Sequence, residues 1–362
     1  MERGAITYSA AYLAGICAAL VFGMPPYNTI FLTLPLLAIS YITRKRCILF
    51  LFTAHSAIFM AGACAATLAS KGSGLPEGRI AAAVSGKCSE MRSRATVHLA
   101  SIVPGKEEHA TLCALIIGDK GLMERELRQE YSRAGAMHVL ALSGLHIGIL
   151  FAIIYRCLSI LCLIPWGNML RNILAMGIIF GYALFTGASP SVMRASFMIF
   201  IYKIAGLSFR QAGKWDAMFL SAMIICIIDP LQIRDIGFQL SYSAVIGIAV
   251  IYPTCRTAYK HISLQLPVGK GIVWAAGKIW DSVSISVCCQ ITTLPLVLYY
   301  FGNVPEWFLL ANIVAVPAAT AILYLAVAAA ALHWIPVAGD FAAEALEFTI
   351  RLLNASVGYI SG

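Results

Sequence analysis

The chain has 362 residues, 60% hydrophobic and only 12% charged, with a net charge of +9 and a mean hydropathy of +0.82. A soluble domain carries roughly a quarter charged residues, whereas apolar runs of about twenty residues, enough to cross the bilayer as helices, recur along most of this sequence. The composition excludes a water-soluble globular protein. Blocks such as AILYLAVAAAAL (321–332) do not alternate, which excludes a β-barrel, and the fold class predicted is an all-α polytopic integral membrane protein.

The N-terminal run MERGAITYSAAYLAGICAALVFGM has the look of a signal peptide. No A-x-A site separates it from the next apolar run, so it is read as an uncleaved first span. Ten spans are predicted, at 9–27, 28–43, 47–69, 136–164, 170–187, 190–207, 215–229, 236–254, 277–300 and 307–334. The cluster Arg44, Lys45 and Arg46 fixes the orientation, because short cytoplasmic loops accumulate cations. It places the N-terminus inside and residues 70–135 outside. The short inner loops then carry Arg171, Arg210, Lys214, Arg256, Lys260 and Lys270, while Arg234 is the single cation of the short outer loops. All six tryptophans fall near span ends, as an interfacial belt requires.

The chain is accordingly divided into N-terminal membrane helices (1–69), a small outer segment (70–111), a membrane domain (112–335) and a C-terminal amphipathic helix (336–362). Short alternating runs and turn residues between 74 and 111 predict a few β-strands. GLMERELRQEYSRAG (121–135) reads as a helix with Met123, Leu127, Tyr131 and Ala134 on one stripe and a Glu124–Arg128 pair on another. Such a helix suits either the outer membrane surface or the protein's own spans. In the last helix Phe341, Ala345, Phe348 and Leu352 form the apolar stripe, with Glu344, Glu347 and Arg351 beside it. Of eleven cysteines, Cys88 and Cys113 alone fall in the segment placed outside, an oxidising compartment, and they are candidates for a disulfide.

Enzymatic engines are not evident. PVGKGIV (267–273) lacks the upstream Gly and following Ser or Thr of a phosphate-binding loop, and seven histidines supply no H-E-x-x-H and no His-x-His. An intramembrane serine protease would use Ser143 or Ser189, but GASP has Pro where the closing Gly of such a site belongs. The chain is therefore read as neither an enzyme nor a metal or cofactor protein. What remains is a set of polar groups inside apolar spans: His138, Ser143, His146, Thr186, Ser189, Arg194, Asp229, Asp235, Gln239, Ser241, Gln290 and Asn312. Such groups mark a pathway or polar cavity by default. Taken singly, a Ser or Asn is more often helix–helix glue, Gly144 and Gly148 more often packing notches, and Arg194 with Asp229 or Asp235 a buried ion pair. In the predicted topology nearly all of the set falls in the outer leaflet, as the wall of a water-filled mouth would.

LIIGDKGLM followed by SRAGAMHVLALSGLHIG resembles the central motif of the ComEC competence proteins, the inner-membrane channel for single-stranded DNA in natural transformation. The likeness continues in order through ALFTGASPSVMRASFM (183–198), DPLQIRDIGFQLSYSAVIGI (229–248), QITTLPLVLYYF (290–301) and NIVAVP (312–317), covering about residues 112–335. The family's prominent polar positions fall on His138, Ser143, His146, Arg194, Asp229, Asp235, Gln239 and Gln290. The resemblance is to a short form. Residues 70–111 are too few for the complete OB-type outer domain many members carry, leaving a reduced OB-like segment, and no His-x-His-x-Asp-His of a metallo-β-lactamase-like domain occurs.

The resemblance implies transport of single-stranded DNA across the bacterial cytoplasmic membrane. A strand needs a track for phosphates and aromatic faces for bases. Arg194 and Arg234 suit the first, and Phe185, Phe238 and Tyr242 the second, although lipid-facing or core roles suit these aromatics as well. Implied partners are single-stranded DNA, membrane lipid, a DNA receptor, a cytoplasmic motor or single-strand-binding protein, and further copies of the chain. A small-solute or ion transporter and a non-conducting assembly platform are the competing classes. The topology is testable directly: single cysteines near residue 260 are expected to resist impermeant labels from outside, and labelling there would overturn the orientation.

Overall fold

The computed structural model of the protein describes residues 4–22, 33, 36, 47–70, 79–207, 214–265, 270–302 and 307–362. Among them every regular element is helical. They form two compact units, Met1–Ala82 with Phe197–Gln239, and Ala83–Ser196 with Leu240–Gly362. Five helices among the described residues are long and apolar enough to cross a membrane: Gly144–Leu163, Gly167–Phe185, Ile236–Tyr259, Ala276–Phe301 and Leu310–Leu332. These coincide with five of the ten predicted spans. Of the others, 28–43 lies outside the described residues except for Thr33 and Leu36. The first, third and seventh contain shorter apolar helices, at Thr7–Phe22, Ala54–Ala69 and Trp215–Ile228. The sixth is a helix that carries Arg194 and Lys203.

In the first unit α1 (Gly4–Phe22) and α2 (Cys47–Ser70) touch backbone to backbone. A Cβ on Gly15 would strike the carbonyl of Phe59, and one on Gly62 the carbonyl of Tyr12. Small residues at a helix crossing permit this approach, and dispersion then holds the pair where lipid competes for apolar surface. Beyond α3 (Arg79–Ile102) the unit resumes at Phe197 within α9 (Pro190–Leu207) and continues with α10 (Lys214–Ile228), which buries Ala217, Met218, Ala222 and Cys226. Asp229 then caps a short 3-10 helix, Pro230–Arg234, by accepting from Leu231 N at 3.0 Å. Arg234 Nη2 donates to Leu20 O at 3.0 Å, satisfying a carbonyl in the last turn of α1 that its own helix leaves free.

The second unit is built around one core. It joins the end of α3, α4 (Lys106–Ile116) and α5 (Arg125–Arg133) to α14 (Phe308–Leu332) and α15 (Pro336–Ser361). Ile102, Leu112, Leu115, Tyr131, Leu140, Ile322, Leu346, Ile350 and Leu353 are among its large buried members. Three residues join α14 to α15, so the two run antiparallel. Asn354 of α15 is the polar centre of this core: its Oδ1 accepts from Tyr131 OH at 2.8 Å and from Thr111 Oγ1 at 3.2 Å. At the rim Arg351 donates to Glu108 at 3.1 Å and Glu347 at 2.9 Å. The Arg351 side chain is 65% exposed, so solvent screens this triad although Glu108 and Glu347 are mostly covered.

The structure corrects four expectations. Residues 79–102 and 106–116 are helical rather than stranded, and no strand occurs among the described residues. The short alternating runs there are equally short helical runs, and alanine together with a Glu90–Arg94 pair at i,i+4 (2.6 Å) favours the helix. Of the two readings of the 121–135 helix the structure takes packing on the protein, with Met123, Leu127, Tyr131 and Ala134 all buried; the correction is to its expected ion pair, since Arg128 bonds the Lys120 carbonyl rather than Glu124. In α15 the predicted stripe is not the packed one: Phe341, Phe348 and Leu352 are exposed, while Ala342, Leu346, Ile350 and Leu353 face the core.

The fourth correction concerns the cysteines. Cys88 and Cys113 are both free thiols. His109 Nε2 lies 3.0 Å from Thr96 O, so α4 runs back along α3 with Thr96 near Cys113, and Cys88 sits eight residues further along α3. That is about 12 Å at the helical rise, beyond disulfide reach. Burial, with Asp119 nearby, pushes the Cys113 thiol up to about 11, which keeps it protonated at neutral pH.

Replacing Asn354 by Leu leaves the Tyr131 and Thr111 hydroxyls buried without their acceptor. A loss of about 1–3 kcal/mol is expected, read as a lower thermal midpoint of the detergent-solubilised chain. Asn354→Leu in a Tyr131→Phe, Thr111→Val background should cost much less.

Candidate functional site

The polar residues singled out in the sequence divide between the two units. His138, Ser143, His146, Thr186, Ser189, Arg194, Gln290 and Asn312 belong to the second, and Asp229, Asp235 and Gln239 to the first.

In the second unit a glycine turn sets the geometry. Helix α5 ends where Gly135 takes φ +75°. Ala136 N bonds Tyr131 O at 2.8 Å and Gly135 N bonds Ser132 O at 3.1 Å, the paired bonds of a left-handed helix stop. The one-turn helix α6 (Met137–Leu140) follows, and His138 Nδ1 donates back to Gly135 O at 2.9 Å. The side-chain amide of Asn312, from α14, is a second partner of that imidazole.

Ser143 then starts α7 (Gly144–Cys157), with an extended backbone at the cap. Its backbone N–H donates to His146 Nδ1 at 3.3 Å, and its Oγ lies 2.8 Å from the same nitrogen. This is a capping box with histidine in the place of the usual Glu or Gln. Because Nδ1 accepts, the ring proton is assigned to Nε2. The imidazole is only 3% exposed, and its Nε2 has no hydrogen-bond partner. The Ser143–His146 pair therefore serves the helix end, and among the described residues no carboxylate bonds the ring as a nucleophile–base relay would use. A Cβ on Gly144 would meet Ala195 Cβ at 3.6 Å, an ordinary contact, and Gly148 faces open space. The Gly144–Gly148 spacing is thus not a packing notch. It is the contact with Ala195 that puts the start of α7 beside Arg194 on α9, which is 3% exposed.

A second glycine turn of the same type ends α8 (Gly167–Phe185). Gly187 has φ +86°, Ala188 N bonds Ala183 O at 2.7 Å, and Gly187 N bonds Leu184 O at 3.0 Å. Thr186 is buried and returns its hydroxyl to Tyr182 O and Ala183 O at 3.0 and 3.1 Å. Ser189 Oγ is buried with no hydrogen-bond partner, as is Asn312 Oδ1. Thr186 also lines a cleft of about 530 Å³ together with Arg92 and Asp119.

The remaining residues are placed separately. In the first unit Asp229 Oδ1 caps its 3-10 helix, and its Oδ2 accepts from Gln232 Nε2 at 3.1 Å. Asp235 caps α11 (Ile236–Val250) by accepting from Phe238 N at 2.8 Å. Gln239 Nε2 donates to Ile233 O at 3.0 Å. Both carboxylates are thus helix caps, a role the sequence reading did not give them. Gln290 lies half-buried on α13 (Lys270–Phe301). Phe238 and Tyr242 are buried, and Phe185 is half-buried beside Tyr182. Among the described residues no group of three His, Cys, Asp or Glu side chains is placed to hold a metal ion. Sequence reading missed Arg92, Asp119 and Asn354. An arginine with serines at i−3 and i+1, and an Asn opposite the obvious apolar stripe, were the available signals.

Ser143→Ala removes the cap of α7 and is expected to cost roughly 1 kcal/mol, seen as a lower unfolding midpoint. Ser143→Thr should keep most of that stability, because Thr caps in the same way.

Comparison with known proteins covers the same region. A family model described as Competence protein matches residues 115–362. ComE operon protein 3 of Bacillus subtilis (strain 168) is 28% identical over 191 residues, 52% of this chain and 22% of the relative. An uncharacterized protein of Aquifex aeolicus (strain VF5) is 30% identical over 167 residues, 45% of this chain and 39% of the relative. The uncharacterized protein YcaI of Escherichia coli (strain K12) is 25% identical over 208 residues, 53% of this chain and 28% of the relative. The matched region is thus well under half the length of each of these relatives. No solved structure matches the chain. The glycine turns at 135 and 187, the capped start of α7 and the Asn312 helix all lie inside the region matched by the family model, and the chain belongs to the competence protein family.

Proposed function

We propose that this chain is the membrane-conducting part of a DNA-uptake system, passing one strand across the bacterial cytoplasmic membrane during natural transformation. One observation carries the reading. Within the region matched to the competence family, His146 Nε2, Ser189 Oγ and Asn312 Oδ1 are buried polar atoms with no hydrogen-bond partner. Buried polar atoms are nearly always satisfied. Arg171 Nε, Asn172 Oδ1 and Asn354 Nδ2 are left over in the same region, and the atoms of His146, Ser189 and Asn312, beside apolar spans, suit a path wetted by water and used by a polar cargo. His138, Ser143, Thr186, Arg194, Asp229, Asp235, Gln239 and Gln290 are proposed to belong to that path or to hold it open, with Phe185, Phe238 and Tyr242 as the aromatic faces nearest to it in sequence. In this reading the N-terminus is cytoplasmic, the chain does no covalent chemistry of its own, and the pull on the strand comes from a cytoplasmic motor or single-strand-binding partner. A DNA receptor delivers the strand outside, and copies of the chain associate in the lipid.

Uptake of labelled DNA tests the proposal in a transformable host deleted for its own competence channel. Expression of this chain, with the host's other uptake components, is expected to restore entry of label into a nuclease-protected pool. Label that stays bound outside while the other components assemble normally would reject conduction and leave a platform role. DNA-independent solute flux in liposomes would favour the small-solute reading.

A further inference from the structure

We infer that the cleft between α3 and the end of α8 is a phosphate seat, where a phosphodiester of the incoming strand rests on Arg92. The inference rests on the DNA-conduction reading above and adds a contact point to it.

The cleft measures about 530 Å³, and Ser89, Arg92 and Ser93 line it from α3. Their spacing puts them on one helical face. Gly118, at φ +83°, and Asp119 form a second wall, and Thr186 a third. Arg92 is held where it is by the turn below it. A Cβ on Gly187 would lie 2.7 Å from Arg92 Nη1, so the guanidinium rests directly on that glycine, and a side chain there would displace it. Among the described residues the Arg92 side chain makes no ion pair and no hydrogen bond, unlike Arg94, which is paired to Glu90. Asp119 keeps its charge but forms no ion pair with Arg92; its Oδ1 accepts from Gly121 N at 2.8 Å.

A half-buried, uncommitted guanidinium flanked by serine hydroxyls matches the oxygens of a phosphate, which take a planar pair of N–H donors and further O–H donors. Asp119 on the opposite wall repels the same anion. It therefore confines a phosphate to the Arg92 side and leaves an acceptor for base or sugar groups. Free phosphate and a lipid headgroup offer the same chemistry, and the experiment separates them from a strand.

The full chain is placed in nanodiscs of zwitterionic lipid, and its affinity for a fluorescent oligothymidylate is measured across a salt series. Each phosphate contact to a single strand contributes about 0.7 to the slope of log K against log salt. Arg92→Gln is expected to reduce the slope by about that amount with an unchanged unfolding midpoint, and Arg92→Lys to restore most of it. A wild-type slope in Arg92→Gln would overturn the seat and leave DNA conduction standing. No oligonucleotide binding by the unmutated chain would overturn both. If inorganic phosphate binds in an Arg92-dependent way while the oligonucleotide slope ignores the mutation, the cleft serves a small anion and the strand contact is rejected. If phosphatidylglycerol discs abolish the Arg92-dependent part of the slope, a headgroup holds the seat and the strand contact is rejected equally.

Discussion

The second unit depends on one buried polar contact, the acceptance of the Tyr131 and Thr111 hydroxyls by Asn354. A tyrosine with no exposed surface needs a partner for its hydroxyl, and the side chain that supplies it comes from the last helix. That contact fixes the register of α5, hence the place where Gly135 stops it, hence the position of His138 against the Gly135 carbonyl. Asn312 meets the same histidine from α14, which is packed along α15. The polar residues at the start of α7 are thus held in a closed circuit of contacts. Each link is weak by itself, and together they leave these groups few alternative positions.

The same residues have different degrees of freedom left for a cargo. His138, Thr186, Asp229 and Asp235 each bond a backbone group at a helix end or turn, and His138 and Asp229 also bond the side chains of Asn312 and Gln232. They shape the chain more than they offer donors. His146, Ser189 and Asn312 instead each keep one polar atom uncommitted. Under the proposed conduction reading, such a path is stiff in its walls and sparing in its contacts, and a moving polymer favours that balance, since tight binding at any point would slow release.

The sequence was most informative where one helical period decides the answer. The apolar spans between Gly144 and Leu332 and the stripe through Leu127 and Tyr131 follow from local pattern alone. It was least informative where two patterns compete on one segment. Residues 79–102 carry runs short enough for strands, and the helix prevails through alanine content and tertiary packing of Ile102. In α15 two apolar faces coexist, and aromatic size drew attention to the exposed one. Its smaller neighbours Ala342 and Leu346 pack instead, because close approach to α14 needs modest side chains. The Arg92 cleft was invisible for another reason. Ser89 and Thr186 are nearly a hundred positions apart, and no local pattern joins them.

That the core of α4 and α5 is closed by α15 has a consequence for biogenesis. Thr111 waits for a partner 243 residues further along the chain, and contacts of such separation form late. During synthesis the segment around Tyr131 emerges long before the helix that covers it. Until then it exposes apolar surface at the membrane boundary, where insertion factors and quality-control proteases patrol. Arrest of translation before residue 346 would release a chain with its spans already inserted and this core still open. Such a product is a natural substrate for membrane proteolysis.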